Sequence, residues 1–209
     1  MIEIRKDDAT LVDAAVSSLT RTFVGYPMLR YFEPDPCKAV KISKAWSEYV
    51  LKQGLSFGQC FATSPACEGV SVWLPGDYGS SIRGHLWKQL SIDIAYILSL
   101  RPSTTLRSIY GDAFLHKWHQ ETIAGDHRVL YVIGVAPEFR KSGFAAALVR
   151  DFFKLTDHEG LPCYVDTLAV DNVAIYQHLG FTLRAERRLP RYLGNEGCGF
   201  WCFTRDVLH

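Results

Sequence analysis

The sequence of 209 residues has room for one domain with a sizeable core, and a hydrophobic content of 48% with a charged content of 22% is ordinary for a soluble globular protein. The formal net charge of +1 gives no indication of a nucleic acid or an anionic membrane as a partner. Charges stand at the N-terminus where a signal peptide needs an apolar stretch, and the most apolar long run, residues 92–100, is too short to span a bilayer. We therefore expect a cytoplasmic protein without a membrane partner.

The first part of the chain predicts two helices, two strands and an aromatic loop after a short initial strand. Residues 2–4 alternate with charge as a strand does, and residues 9–23 have the apolar spacing of an amphipathic helix. The following stretch, rich in aromatics and prolines, predicts a loop to residue 36, and a second helix is expected over residues 37–51. Two strands joined by a Ser-Pro turn are then expected over residues 56–63 and 69–74.

Residues 75–126 predict a helical insertion between two strands of one sheet. The segment opens with the turn-rich run P-G-D-Y-G-S-S and continues with helical patterns over residues 81–100 and 103–122. Beyond it we expect, in order, a strand, a helix, a strand, a helix and two strands, over residues 128–135, 142–157, 163–167, 172–179, 181–186 and 199–205. No internal repeat or low-complexity linker divides the chain, so a single domain over residues 1–209 is expected.

Cysteine and histidine spacing gives no support for a metal site. None of the 6 cysteines forms a C-x-x-C pair, and we expect buried reduced thiols. Cys198 and Cys202 are left open as an exception to this expectation, because period-2 spacing would put both side chains on one face of a strand. His116 and His119 form H-x-x-H, but no acidic or cysteine ligand stands nearby at metal spacing. We therefore expect no metal.

The run V-I-G-V-A-P-E-F-R-K-S-G-F-A-A-A-L-V, residues 132–149, joins an apolar strand to an amphipathic helix. A helix start leaves backbone N–H groups unpaired at a positive dipole end, and Gly143 would let an anion approach while Arg140 and Lys141 add positive charge. An ordinary strand-to-helix joint with a turn glycine and two solvated cations is an equal alternative on this evidence. The two familiar phosphate loops, G-x-x-x-x-G-K-[ST] and G-x-G-x-x-G, are absent.

Two blocks resemble signatures of the GNAT N-acetyltransferase superfamily. R-K-S-G-F-A, residues 140–145, resembles the acyl-CoA-binding motif R/Q-x-x-G-x-G/A, and D-N-V-A-I-Y-Q-H-L-G-F, residues 171–181, resembles the element N-x-x-x-Y-x-x-x-G-F. Two earlier blocks, F-V-G-Y-P-M-L-R-Y-F-E-P-D and G-V-S-V-W-L-P-G, are similar to the branch that includes puromycin acetyltransferase. Tyr26 stands where that branch commonly has an acidic residue.

The resemblance implies an α/β (α+β) fold with a twisted mixed sheet of about six to seven strands, flanking helices and the helical insertion between strands 3 and 4. Its two central parallel strands would splay apart, and the pantetheine arm of acetyl-CoA, the co-substrate, would bind in the splay. The residues implied in cofactor binding are a strand end, Ile133, Gly134 and Val135; a pyrophosphate cradle, Arg140, Lys141, Ser142, Gly143, Phe144 and Ala145; and Asn172.

Acetyl transfer to an amine needs a base for the amine and an acid for the leaving thiolate. Tyr176 matches the family tyrosine that donates to the departing sulfur, although a packed core tyrosine is the alternative. Asn172 is expected to cap the helix that carries it, and Gly180 to end that helix. Asp166, on the neighbouring strand, is the candidate base; a solvated or paired carboxylate, or a water relay in its place, stays open.

The resemblance implies an acetyl-CoA-dependent N-acetyltransferase that acts on a primary amine by direct attack in a ternary complex. Aromatic residues are frequent in the N-terminal half, and the insertion can cover the reactive end of the cofactor, so a small-molecule amine is expected. A peptide or protein acceptor, and a non-catalytic CoA-binding sensory module, are the alternatives. The sequence leaves a homodimer open.

Overall fold

A seven-stranded mixed sheet forms the centre of the fold, in the order β1-β2-β3-β4-β5-β7-β6. The computed structural model describes residues 1–77 and 86–207. The strands are β1 Ile2–Glu3, β2 Gln59–Ala62, β3 Gly69–Pro75, β4 Arg128–Val135, β5 Cys163–Thr167, β6 Thr182–Leu189 and β7 Cys198–Arg205. Every neighbouring pair is antiparallel except β4 and β5, which are parallel. The mixed sheet of six to seven strands is thereby confirmed.

Helices cover both faces of this sheet. Within the described ranges they are α1 Ala9–Phe23, α2 Pro27–Phe32, α3 Ala39–Phe57, α4 Leu86–Ser99, α5 Pro102–Thr122, α6 Phe144–Glu159 and α7 Asp171–His178, with 3-10 turns at Pro36–Lys38 and Pro137–Phe139. One apolar core lies under α1, α2 and α3, and a second under α6 and α7, where Trp73 of β3 stacks on Phe152 at 3.8 Å between ring centroids. The insertion between β3 and β4 consists of α4 and α5; the predicted start of its first helix, at residue 81, lies outside the described residues.

Two predictions in the first part of the chain are wrong. The expected loop contains α2, which begins with Pro27 at its first turn, where a missing N–H costs nothing, and buries Leu29 and Phe32. Helix α3 continues to Phe57 rather than residue 51, so β2 begins later than expected. Gly54 lies inside α3 and does not end it. A side chain at this position would overlap Cys60 and Val72, so the glycine lets the helix pack closely on the sheet.

The parallel strands β4 and β5 separate soon after they meet. They pair only at Arg128 with Cys163 and at Val129 with Tyr164, whereas β3 runs beside β4 as far as Val135. The β5-facing edge of β4 beyond Val129 therefore has no strand partner among the described residues. The splay that the family resemblance implied is present, and it leaves free backbone groups in the middle of the sheet.

The cysteines are free thiols, Cys198 and Cys202 included. Cys37 is exposed, contrary to the expectation of burial, because it lies in the short 3-10 turn before α3. Across the described ranges, no helix combines the length and apolar character needed to cross a bilayer.

Candidate active site

A cavity of about 390 Å³ opens where β4 and β5 part. Its walls come from the C-terminal end of α1, the centres of α3 and α5, the edges of β4 and β5, and the start of α7. Of the predicted site residues, four line it: Ile133, Asp166, Asn172 and Tyr176. The splay and the insertion together thus create one enclosed space beside the free edge of β4.

The predicted strand end has one residue facing the cavity and one packed under a helix. Ile133 lines the cavity, and Val135 pairs with Gly69 of β3. At Gly134 a Cβ would lie 3.0 Å from both Phe23 and Thr22 of α1, which is tighter than ordinary contact. Glycine at this position lets α1 lie directly on β4.

The predicted cradle is a loop with two backbone positions in the left-handed region. Lys141 has φ +66° and Gly143 has φ +81°, and α6 begins at Phe144, two residues later than expected, because Gly143 is its cap. Successive N–H groups in such a turn form an anion-binding concavity. A Cβ at Gly143 would meet nothing within 4 Å, so its φ, rather than close packing inside the protein, requires glycine there.

The side chains of the cradle are accessible. Arg140, Lys141 and Ser142 are exposed, whereas Phe144 and Ala145 are half-buried at the start of α6. Arg140 Nη2 donates a long hydrogen bond of 3.4 Å to the carbonyl oxygen of Thr22. The two cations therefore stand at the rim of the loop and are not consumed by ion pairs with the described residues.

Tyr176 is buried in the wall of the cavity. Its side chain is 7% exposed and its ring packs at 5.8 Å from Phe181 and 5.5 Å from Phe203. Burial, with smaller contributions from Tyr26 and Asp166, raises the pKa of its phenol far above the usual value. The hydroxyl is therefore fully protonated at neutral pH, and Gly180, at φ +97°, ends the helix as expected.

The expected capping role of Asn172 is wrong. Helix α7 begins at Asp171 with Val170 as its cap residue and without a side-chain cap. Asn172 Nδ2 instead donates a hydrogen bond of 3.1 Å to Thr167 Oγ1 at the end of β5. The residue thus ties the start of α7 to the splayed strand.

Asp166 faces the cavity beside a tyrosine of its own strand. Tyr164 and Asp166 are two residues apart in β5 and so share a face of the sheet, and the Tyr164 hydroxyl donates to Asp166 Oδ2 at 3.1 Å. Burial raises the pKa of Asp166 to about 6, with the tyrosine hydrogen bond opposing the shift. The carboxylate is neither solvated freely nor paired with a cation among the described residues.

Two further cavity residues had no role in the sequence interpretation. Tyr26 was noted only as a departure from a related pattern, yet its hydroxyl contacts Thr167 Oγ1 at 2.9 Å and accepts a hydrogen bond from the Leu168 N–H. Asp112, in α5, lines the cavity with an exposed side chain, and desolvation by the cavity walls together with Asp93 and Asp166 raises its pKa to about 7. A single aspartate between Gly111 and Ala113 on a helix carries no signal that could have identified it.

The two histidines of the H-x-x-H motif have different hydrogen-bond partners, Gln120 for His116 and His127 for His119. His119 is buried and its Nε2 lies 2.7 Å from His127 Nε2, while His127 Nδ1 lies 2.7 Å from the carbonyl oxygen of Gly125. Burial and the neighbouring imidazoles lower the pKa of His119 to about 4, so it is neutral at physiological pH. Within residues 1–77 and 86–207 there is no cluster of three or more metal-ligating side chains.

Comparison with known proteins identifies similarity to a curated N-acetyltransferase. No protein-family model matches the chain. A curated protein of Schizosaccharomyces pombe, named as an uncharacterized N-acetyltransferase, is 26% identical over 203 residues, which cover 90% of this chain and 74% of that protein. The alignment thus reaches well beyond the two motif blocks.

Solved structures share the fold over nearly the whole chain. Arylalkylamine N-acetyltransferase 2 from Aedes aegypti matches with a TM-score of 0.64 at 13% identity and covers 99% of this chain and 98% of its own. A polyamine N-acetyltransferase from Drosophila melanogaster, described as forming N-acetylagmatine, matches with a TM-score of 0.60 at 15% identity over 98% of both chains. The narrower likeness to the puromycin branch stays a prediction. The chain thus has the fold of these N-acetyltransferases and is similar in sequence to a curated one.

Proposed function

We propose that this protein transfers an acetyl group from acetyl-CoA to a primary amine of a small molecule, by direct attack in a ternary complex. The observation that carries the proposal is the position of Tyr176 and Asp166 on one cavity, at the point where β4 loses its strand partner. Similarity to a curated N-acetyltransferase and to acetyltransferase structures supports the reaction type. The cytoplasmic location, the homodimer and the single domain stay predictions.

The chain offers acetyl-CoA two binding elements whose geometry fits. The unpaired edge of β4 at Ile133, Gly134 and Val135 has free backbone groups for the amides of the pantetheine arm. The left-handed turn at Lys141 and Gly143 presents N–H groups ahead of α6 for the pyrophosphate, with open space at Gly143 and with Arg140 at the rim. Asn172, held by Thr167 beside the cavity, completes the cofactor side.

Acetyl-CoA supplies a thioester carbonyl, and the acetyl group passes to the amine without a covalent enzyme intermediate. A C–N bond forms as the C–S bond breaks, so one proton must leave the amine and one must reach the thiolate. Asp166, ionised above about pH 6 and oriented by Tyr164, accepts the amine proton. Tyr176, which stays protonated, donates a proton to the thiolate sulfur. The two groups regain their starting states by exchange with water.

A small amine is the acceptor that best suits the covered cavity. Helix α5 of the insertion and the centre of α3 line the cavity together with β4, and its volume of about 390 Å³ has room for a small amine. The structural neighbours named for polyamine and arylalkylamine substrates act on small amines, which supports the same class here. The proposed proton transfers use Asp166 and Tyr176 and invoke no metal.

The direct test is thiol release from acetyl-CoA across a panel of small amines, with mass spectrometry of the products. Release of CoA together with an N-acetylated amine is the expected result. Acetylation of peptides without acetylation of any small amine would mean that the acceptor is a peptide. Tight acetyl-CoA binding without thiol release for any acceptor would instead identify a non-catalytic CoA-binding module.

A further inference from the structure

The α5 end of the cavity carries a second acidic residue, Asp112, besides Asp166. Asp112 lines the cavity and interacts electrostatically with Tyr49 and Tyr96, and with Asp93 of α4. Asp112 and Asp166 also interact electrostatically with each other, so the two carboxylates are neighbours in one space. Burial, Tyr26 and Asp166 raise the pKa of Tyr176, which places Asp166 next to the proposed acid.

Asp112 has no compensating charge. In the part of the chain that the structure describes, it makes no hydrogen bond or ion pair, and no lysine or arginine lines the cavity. Asp93 of α4 is a further acidic side chain that interacts with Asp112. Its Oδ1 accepts a hydrogen bond from Gln89 Nε2 at 2.7 Å and one from the Tyr49 hydroxyl at 3.3 Å. The Asp112 side chain is exposed, so a ligand in the cavity can reach it, and desolvation by the surrounding walls together with Asp93 and Asp166 raises its pKa to about 7.

A second observation at the same end is independent of the carboxylates. Gln53 lines the cavity, its side chain is 5% exposed, and its Nε2 makes no hydrogen bond within the described residues. It lies one turn after Tyr49 on α3, and both side chains line the cavity that Asp112 lines. Gln53 also interacts with the Tyr49 hydroxyl, so it is the Nε2 group that lacks a partner. A buried amide N–H without an acceptor costs free energy unless an occupant satisfies it, and a rotation of the amide by 180° would present its oxygen to the occupant instead. This wall is therefore completed by a polar occupant.

The side walls at this end suit a cationic group. Tyr49 and Trp46 line the cavity, and Tyr49 is fixed by stacking on Tyr96 at 4.5 Å between ring centroids. Aromatic faces next to a carboxylate attract ammonium and guanidinium groups, which they hold more strongly when water is excluded. An apolar acceptor tail would cover the Asp112 carboxylate without pairing it and would leave Gln53 Nε2 without a partner, which makes it the poorer fit.

We propose that the acceptor carries a second cationic group, an ammonium or a guanidinium, which binds at Asp112 and Gln53 while the reacting amine lies at Asp166 and Tyr176. The inference rests on the proposed function, because it places the reacting amine at Asp166 and Tyr176, where acetyl transfer is proposed to occur. It adds a specificity-determining residue, Asp112, from the inserted helices. A guanidinium would bind the carboxylate through two parallel hydrogen bonds, an ammonium through one.

The test is calorimetric binding to the full chain at pH 8, in the presence of CoA. The probes are 1,4-diaminobutane, agmatine, n-butylamine and phenethylamine, which differ in whether the far end is an ammonium, a guanidinium, a methyl or an aryl group. For the native chain we expect either dication to bind at least about tenfold more tightly than n-butylamine. Which dication binds more tightly distinguishes the two cationic groups.

Asp112→Asn keeps the shape of the side chain and removes its charge. In this variant the preference for a dication over n-butylamine should fall to within about twofold, with the affinity for n-butylamine unchanged. Asp13→Asn, on the exposed face of α1, is the control for net charge and should keep the native preference. Gln53→Leu should lose part of the preference, because it removes one polar contact and no charge.

Equal affinities for 1,4-diaminobutane and n-butylamine in the native chain would overturn the inference, as would tighter binding of phenethylamine than of both dications. A preference that survives in Asp112→Asn would also overturn it. Thiol release is measured in parallel. Acetylation of all four amines without a dication preference would reject the inference and leave the proposed function standing. An Asp112-dependent preference in binding without thiol release would reject the proposed function and leave a cation-binding site.

Discussion

The Tyr26 hydroxyl lies 2.9 Å from Thr167 Oγ1, which joins the segment between α1 and α2 to the last residue of β5. The same hydroxyl accepts a hydrogen bond of 3.2 Å from the Leu168 N–H, and Thr167 Oγ1 also accepts from Asn172 Nδ2 at 3.1 Å. These bonds occupy the polar groups at the end of β5, where pairing with β4 has already stopped. They hold the end of β5 on the side from which β4 has parted, while β7 pairs with β5 on the other side.

Tyr26→Phe is therefore expected to destabilise the protein. The change leaves the Leu168 N–H buried without an acceptor, at a cost of about 1–3 kcal/mol, which corresponds to roughly 2–4 °C in Tm for each kcal/mol in a chain of this size. Thermal unfolding measures the shift. Tyr110→Phe is the control, because its ring stacks on Tyr192 at 4.4 Å and keeps that contact. Equal Tm values for the two variants would contradict the role of the Tyr26 hydroxyl.

Tyr176→Phe should lower kcat by about 10²–10⁴-fold, the usual range for a lost general acid. The ring contacts with Phe181 and Phe203 remain, so neither Tm nor the dissociation constant for acetyl-CoA should change much. Steady-state thiol release and calorimetry measure the two quantities. Native kcat in this variant would mean that the phenol is a packing residue only.

The rate should fall in acid because Asp166 must be ionised to accept a proton. Its pKa of about 6 predicts a kcat, at saturating acceptor, that rises about tenfold per pH unit below pH 6 and levels off above it. Asp166→Asn should remove this limb and lower kcat by about 10²-fold or more. If kcat falls by less than about tenfold and keeps its acid limb, the base is a water relay. Tyr164→Phe, which removes the hydrogen bond to Asp166, should move the limb to higher pH.

Gly143→Ala and Gly160→Ala form a matched pair. Both glycines have positive φ, +81° and +68°, and in both places a Cβ would meet nothing within 4 Å. Each alanine should therefore cost about 1–2 kcal/mol of stability through backbone strain alone. Because only Gly143 lies in the cradle, its variant alone should weaken acetyl-CoA binding, by about tenfold. Equal acetyl-CoA dissociation constants for the two variants would mean that the cradle does not bind the cofactor.

Asp112 should make the free protein less stable as pH rises. Its pKa in the fold, about 7, lies above the ordinary value near 4, so the native state binds more protons than the unfolded chain between these pH values. The contribution of Asp112 to the free energy of unfolding is therefore most favourable below about pH 4, and it is lost as the pH rises through 7. Because the side chain is exposed and solvent screens its charge, Asp112→Asn should raise Tm by only about 1–2 °C at pH 8 and leave it unchanged near pH 4. A Tm increase of equal size at both pH values would mean that ionisation is not the cause.

Elements with strong local signals could be predicted from the sequence. Strands β4 and β5 have the predicted limits, as does α1, because a continuous apolar run and a regular 3.6-residue spacing determine them locally. Helix α2 was missed, since six residues between prolines and aromatics show no full period. The end of α3 was missed because the packing of Gly54 against Cys60 and Val72 is a tertiary contact.

The sequence by itself indicated the family resemblance and the candidate cofactor residues, which stay predictions. Two short blocks carry both, because a glycine turn before a helix and a tyrosine one turn into another helix are local features. Only the tertiary structure decided what surrounds the reaction. The splay of β4 and β5, the hydrogen bonds of Tyr26 and the approach of Asp112 to Asp166 join segments far apart in the chain. Such contacts depend on how helices and strands pack together, and no local pattern encodes them.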